Sequence, residues 1–480
     1  MENSIESITE QLKKLEEQVK EISPDAEKRK EIFSSYHALT ERHLESLEDQ
    51  KAYDGSPSDL DLYTLKDTPE DTSKTIATIE NDMLPKGIVA ASGGHMGYIP
   101  GGGIYTSAIG DYLAAISNAY SGVNYASPGA VAMEHACLDW LKSVYGFPKS
   151  AVGNLTSGGS IANLIALGAA RDHKEILDNI KHSVVYMSAQ THHSAHKALR
   201  ILGLHQMVLR AIPTDEFHRM NLSELKLQIE KDKAEGLTPS ILIGSAGTTD
   251  TGAVDPLDEM AGIAKRNKLW FHVDAAYGGF FILTDTAKVK FKGIEKADSI
   301  ITDPHKGMFL PYGIGAVLVK NAEAVFESNR ITANYMQDSL AEESPLDPSD
   351  VSPELTKHFR ALRMWLPLKT HGVAPFKAAL EEKLLLTTYF RTEVEKLGFK
   401  TGPTPDLSVS YFWYPFGENE NELNRKLMSL CHNDGRVFMS STKIENKFVI
   451  RMAILSFRTH KAEIDKALDM LLENLSKIRS

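Results

Sequence analysis

A chain of 480 residues with 42% hydrophobic and 24% charged residues is globular and too long for one compact core, so two or three domains are expected. Its formal net charge of -11 argues against nucleic acid or an anionic membrane as the main partner, because both reward basic surfaces, and leaves small molecules as the expected ligands. Two cysteines, Cys137 and Cys431, exclude a disulfide framework, and the opening residues lack the basic start and apolar core of a signal peptide; with no apolar run of about 18 residues, a cytoplasmic protein is expected.

In chain order, Ile5, Ile8, Leu12, Leu15, Val19 and Ile22 follow steps of three and four, a heptad stripe on one helical face that Pro24 ends. Barely two heptads make a poor free-standing coiled coil, so the stripe is expected to pack on its own subunit or on a second copy. Residues 53 to 72, with Gly55, Pro57, Pro69 and many acids, read as a linker. Helix and linker together define an expected N-terminal segment, 1–94.

From about 150 to 320, SVVYMSA, QMVLRAI, SILIGSA, LWFHVDA, DSIIT and AVLVK are short strand-like runs, most of the early ones separated by helical patterns. One such helix is expected to open with Asp255 as N-cap and Pro256 in its first turn. Another starts at Asn221 with Glu224 three residues on, like a capping box. This alternation predicts an α/β fold whose mainly parallel sheet is covered by helices on both faces, with ligands at the carboxyl ends of the strands. It would occupy a large domain, 95–360, whose irregular acidic, Pro-containing stretch at about 327–357 reads as a disordered segment or a functional lid. Beyond it a strongly helical stretch, the strand-like SVSYFWYP and FVIRMAIL, and a final amphipathic helix predict a smaller α+β domain, 361–480.

Four pieces carry chemistry. Lys306 directly follows a buried-looking strand, where a lysine can act as an amine nucleophile toward a carbonyl. In TSGGSIANLIAL, Gly159 and Ser160 run into a helix whose free amides and dipole suit a phosphate, though a plain loop also fits and no Walker lysine follows. Asp274 ends the apolar strand LWFHV, where a carboxylate needs a cation: a protonated ring nitrogen, or a structural Arg or Lys. His192, His193 and His196 lie between a strand and a helix; they lack the glutamate and cysteine partners of zinc sites, so no metal is expected, and one imidazole stacked on a flat ring is an alternative to an exposed or capping role.

Cradle, His, Asp and Lys in this order, with HVDAAYGG and DPHK and with Asp274 and Lys306 about thirty residues apart, resemble the pyridoxal-phosphate-dependent decarboxylases that act on aromatic amino acids, histidine, glutamate and tyrosine. The resemblance runs from GYIPGGG to ENKFVIRMAILSFRTH. It implies the aspartate-aminotransferase-like fold type I and pyridoxal 5'-phosphate as cofactor. Lys306 then matches the lysine that holds the cofactor, and Asp274 the acid that keeps its ring nitrogen protonated. Gly159, Ser160 and His305 fall on the phosphate side, His193 matches the imidazole on the ring, and Thr248 and Ala276 line the cofactor. Tyr335 falls on the mobile-loop tyrosine that protonates the substrate carbon, and Tyr98 and Pro100 on the substrate pocket. The family further implies a homodimer with sites at the subunit interface.

Some positions depart from the family pattern. Asp303 stands where animal aromatic decarboxylases carry Asn, and a carboxylate there would repel a phosphate. Three glycines from Gly101 leave the pocket's shape open, and Arg451 suits either a substrate carboxylate or a structural role. No Arg or Lys occurs between Lys86 and Lys142, which weighs against an acidic substrate. The expected activity is therefore decarboxylation of an L-amino acid, most simply an aromatic one, to amine and carbon dioxide. The alternatives are an acidic or other amino acid, aldehyde-forming oxidative decarboxylation, or a cofactor-binding relative without turnover.

Overall fold

The computed structural model describes residues 5–329 and 346–479. Its chain divides into two compact units, Met1–Val89 and Ala90–Ser480. In the first unit the heptad stripe forms the helix Ile5–Val19, none of whose residues is buried within the chain. A second helix, Ala26–Ser46, begins where Asp25 accepts the amide of Lys28 at 2.9 Å. The 53–72 stretch is more ordered than a linker. Strand β1 (Tyr53–Asp54) pairs antiparallel with β2 (Gly87–Ile88), Leu60–Tyr63 form a 3-10 turn, and the Tyr63 hydroxyl donates to Asp82 at 2.7 Å. Its acids and prolines thus serve turns that fold back on the unit's own helices.

The second unit is built on a seven-stranded sheet. Its strands are β3 (Val152–Thr156), β4 (Ser183–Ser188), β5 (Val208–Ile212), β6 (Thr238–Ser245), β7 (Trp270–Ala275), β8 (Ser299–Thr302) and β9 (Gly315–Val319), in the spatial order β3-β9-β8-β7-β6-β4-β5. Only β9 runs antiparallel to its neighbours. Side chains alternate between two cores: Tyr186, Leu242, Phe271 and Leu318 face one side, Val185, Ile241, Ile243 and Val317 the other. Helices Pro128–Tyr145, Leu222–Ala234 and Leu257–Asn267 cover the first side; Gly159–His173 and His193–Ile201 cover the second. The predicted strands all form, and β3 joins them unannounced: VGNLT is too poor in β-branched residues to read as a strand, and Gly153 is required there because a Cβ would press on the Val317 carbonyl and the Leu318 side chain.

The C-terminal part forms a four-stranded antiparallel sheet of β10 (Lys400–Thr401), β11 (Val409–Trp413), β12 (Ser440–Ile444) and β13 (Lys447–Ala453), ordered β10-β11-β13-β12. It packs on helices Ala374–Lys396, Glu420–Asp434 and Lys461–Arg479 through Phe390, Phe412, Leu427, Ile450 and Leu471. Asn221 caps its helix as expected, accepting from the amides of Ser223 and Glu224. Asp255 does not cap the next one, whose N-cap is Pro256. Its buried carboxylate instead accepts the amides of Met220 (2.7 Å) and Ser245 (2.8 Å), and burial pushes its pKa up to about 6.

Residues 346–360 are riveted to β3 and the helix Pro128–Tyr145. Asn154 donates to the Pro348 carbonyl at 2.9 Å, and the fully buried Lys357 ammonium lies 2.7 Å from Glu134 and 3.0 Å from Asn154. Burial pulls the Lys357 pKa down and Glu134 opposes it, so the pair stands or falls together. Lys357→Met should therefore lower stability by about 3–5 kcal/mol in urea unfolding by leaving Glu134 uncompensated, and adding Glu134→Gln should restore part of the loss.

Candidate active site

The carboxyl ends of the parallel strands supply almost every candidate group. Strand β3 runs into Gly158 and the helix Gly159–His173, β4 into Thr191 and His192, β6 into the turn at Thr248, β7 ends on Asp274 and Ala275, and β8 leads into Asp303, His305 and Lys306. A parallel strand ends where its helix begins, so side chains at these junctions point into one crevice.

Asp274 is buried, its Oδ1 accepting the Ala276 amide at 3.1 Å and its Oδ2 the Asn163 side-chain amide at 3.3 Å. Among the described residues no Lys, Arg or His lies in salt-bridge reach of it. Ala276 sits beside Gly159, where a Cβ would lie 3.5 Å from its methyl group. Helix Gly159–His173 starts without a side-chain cap, and Ser160 is exposed in its first turn.

Lys306 lies in the short turn Pro304–Gly307, its ammonium 3.0 Å from Asp303. Asp303 is buried beneath the Gly158–Gly159 corner: a Cβ on Gly159 would stand 3.1 Å from its Oδ2, and one on Gly315 would stand 2.8 Å from its Oδ1. Its Oδ1 has no hydrogen-bond partner. The departure Asp303 is thus a counter-ion for the lysine, and two glycines make room for it. His305 donates from Nδ1 to the Ile314 carbonyl at 2.5 Å, and burial pulls its pKa down against the pull of Asp303.

The two adjacent histidines separate by one helical position. His193 is the first residue of its helix and is exposed. His192 is the N-cap, half-buried, and accepts at Nδ1 from the Ser194 hydroxyl (2.8 Å) and amide (3.3 Å). Burial lowers its pKa, opposed first by Asp274, with His193, Lys306 and Asp303 also acting on it. His192 thus lies within electrostatic reach of Asp274 and Lys306, and the His193 ring stands 4.0 Å from its own, so the two imidazoles sit together at this strand end.

Thr248 is buried, but its hydroxyl is engaged by Thr251 at 2.8 Å and by the Ala253 amide at 3.1 Å, so it shapes the turn. Tyr98 is exposed and packs on Phe438, Pro100 is buried, and between them Ile99 adopts φ 56°, a strained conformation for a β-branched residue. The strain is held from both sides. Arg451 donates to the carbonyls of Gly97 (2.8 Å) and Thr249 (2.6 Å) and to Ser440 (3.0 Å), tying these segments together. Gly101 is glycine because a Cβ would collide with the His305 carbonyl oxygen, so the pocket segment lies directly on the turn that carries Lys306. Tyr335 falls outside the described residues.

These residues fit a cofactor with a phosphate at one end and a protonated ring nitrogen at the other. An uncapped helix start with an exposed hydroxyl suits the first, and a buried carboxylate lacking a cation suits the second. Sequence reading missed Asn163 and His272. Asn163 follows Gly159 by one helical turn, and His272 precedes Asp274 by two on the same face of β7, so both periodicities were present to be used.

The conserved-domain model of pyridoxal-dependent decarboxylases matches residues 59–402. An aromatic-L-amino-acid decarboxylase of Bacillus atrophaeus is 36% identical over 376 residues, 77% of this chain and 78% of that protein. A tryptophan decarboxylase, TDC1 of Camptotheca acuminata, is 30% identical over 420 residues, covering 82% of each. The crystal structure of Oryza sativa TDC with PLP and tryptamine superposes with a TM-score of 0.89 at 22% identity, over 95% of this chain and 99% of that one, the same fold. A family match over most of the chain, on a scaffold that gathers a lysine, an aspartate and a helix start in one crevice, establishes that the protein belongs to the pyridoxal-dependent decarboxylases and is a PLP-dependent enzyme of that family.

Proposed function

We propose that the enzyme converts an aromatic L-amino acid to its amine and carbon dioxide. The observation that carries the choice of substrate is the commitment of Arg451. Its guanidinium spends three hydrogen bonds on Gly97, Thr249 and Ser440, so among the described residues it is not free to receive an acidic side chain beside Tyr98, Ile99 and Pro100. The names of the aromatic amino-acid relatives support the same reading.

PLP, when bound, supplies an electron sink for the pair released as the carboxylate leaves. The protein's own groups do the rest. The Lys306 amine would hold the cofactor covalently, and Asp303 at 3.0 Å gives that amine a counter-ion whenever it is free. Asp274 would face the ring nitrogen, the amides of Gly159 and Ser160 the phosphate, and His192 the ring itself. His305 braces the lysine turn through the Ile314 carbonyl and borders the phosphate end. Ala276 and the turn held by Thr248 close the crevice. Tyr335 is assigned, from the family resemblance, to returning a proton to the substrate carbon.

A homodimer is supported by apolar surface that asks for cover. The helix Tyr105–Ser117 exposes Tyr105, Ile109, Tyr112, Leu113 and Ile116, which share one helical face, and Ile5–Val19 exposes its whole stripe. A cytoplasmic setting agrees with two buried free cysteines, and no helix among the described residues is long and apolar enough to cross a membrane.

A panel of L-amino acids assayed for amine, carbon dioxide and oxygen uptake tests the reaction. Aromatic substrates should give amine without oxygen uptake; turnover confined to glutamate, or aldehyde with ammonia, would replace this reading. Lys306→Ala should abolish turnover, and Tyr335→Phe should divert product toward aldehyde. In absorbance titrations of the apoenzyme with PLP, His192→Ala should weaken binding about tenfold or more, while His193→Ala stays within about twofold of wild type. The reverse order would restore His193 to the ring.

A further inference from the structure

Behind Asp274 runs a chain of buried hydrogen bonds whose polarity is set by the carboxylate. The Trp270 indole, which can only donate, gives its Nε1–H to Ser299 Oγ at 2.9 Å. The Ser299 hydroxyl proton is then free for His272 Nδ1 at 2.8 Å. At the other end the Asp274 carboxylate only accepts, so the Asn163 side chain must turn its NH2 toward it, at 3.3 Å. The Asn163 carbonyl consequently faces His272 Nε2 at 2.8 Å, and that nitrogen must carry the ring proton. The Asn163 end thus demands the Nε2–H tautomer of His272, and the Ser299 hydroxyl, its oxygen taken by Trp270, has a proton to give the bare Nδ1. Burial holds this imidazole neutral, with a pKa of about 4, so it has one proton to place. From Asn163 a branch donates to Ser194 Oγ at 3.1 Å, and the Ser194 hydroxyl donates to His192 Nδ1 at 2.8 Å. Trp270, Ser299, His272, Asn163, Ser194 and Asp274 are all buried, so water does not compete for these donors.

We infer that Asn163 and His272 are positioning residues for the cofactor: the chain from Trp270 through Ser299 and His272 locks the Asn163 amide so that it donates to Asp274, aiming that carboxylate into the crevice, while the branch through Ser194 fixes His192 with its proton on Nε2. A flipped Asn163 would set its carbonyl against the carboxylate, and His272, Nε2–H in hand, is what forbids the flip. Strand and helix geometry make the chain: Trp270, His272 and Asp274 alternate onto one face of β7, and Asn163 lies one turn into the helix that covers that face.

The inference rests on Asp274 being the partner of the cofactor's ring nitrogen, and the test separates the two. Full-length apoenzyme is titrated with PLP by absorbance, and folding is checked by thermal unfolding, for wild type, His272→Phe, His272→Gln, Asn163→Ala and Asp274→Asn. Gln can receive the Ser299 proton and donate to Asn163 as His272 does; Phe can do neither. His272→Phe should weaken PLP binding by about tenfold and His272→Gln should restore it to within about twofold. Equal losses in the two variants would show a packing role and overturn the inference, as would wild-type affinity in His272→Phe. If the Phe variant does not fold, Asn163→Ala decides: about a tenfold loss supports the chain, and unchanged affinity overturns it. Unchanged affinity in Asp274→Asn would instead remove the assignment of Asp274 on which the inference stands, whereas a loss there with an intact His272→Phe removes the chain alone.

Discussion

A carboxylate held in a nearly dry crevice, accepting two N–H bonds and meeting no cation among the described residues, is the constraint around which this crevice is arranged. Leaving a charge in that state costs several kcal/mol unless something positive arrives. Asp274 is tolerated because strand β7 fixes its backbone and Ala276 and Asn163 donate to its two oxygens, and the protonated ring nitrogen proposed for the cofactor would complete it. The opposite wall solves the mirror problem. Lys306 brings a positive charge, and Asp303, three residues earlier on the same turn, balances it. The site therefore holds three charged groups, Asp274 at the end of β7 and the Asp303–Lys306 pair after β8, and the two strands are neighbours paired in register.

Close backbone packing turns that arrangement into a pocket. Gly101 lets the segment after Tyr98 lie on the carbonyl of His305, and Gly159 and Gly315 leave space for Asp303. Arg451, drawn from the antiparallel sheet by β13, ties Gly97 and Thr249 together and supports the strained Ile99 between two otherwise unrelated loops. Strain of this kind, on the order of 1–3 kcal/mol, persists only where the surroundings over-determine it. Here they do, because a buried guanidinium that lost those carbonyls would be left unpaired.

Much of this was legible beforehand, and the exceptions have local causes. Strands rich in Val, Ile and Leu declared themselves by composition, and the Gly-Ser turn, the histidines, Asp274 and Lys306 each fall at or just after a strand end, where sequence spacing alone could place them. Strand β3 was hidden because it is short and carries a Gly and an Asn between its buried Val152 and Leu155, and its pairing with β9 completes it. Asp255 looked like a cap, but tertiary donors, the amides of Met220 and Ser245, outbid the helix start. Asp303 departs from the family pattern, and Lys306, one turn later, is its counter-ion beneath the Gly158–Gly159 corner.

The buried polar chain behind Asp274 illustrates why such interiors resist substitution one residue at a time. Each member is acceptable only if its neighbour donates in the right sense: a neutral His272 with the wrong tautomer would face Asn163 with a lone pair, and Asn163 would then gain by turning over. Fully satisfied, the chain is neutral from Trp270 to Asn163, so it adds no charge to compete with the one on Asp274, yet it has a direction. A direction is what an aspartate needs from its surroundings if its carboxylate is to meet a flat ring edge-on, and a hydrophobic support of equal volume could fill the space without supplying it.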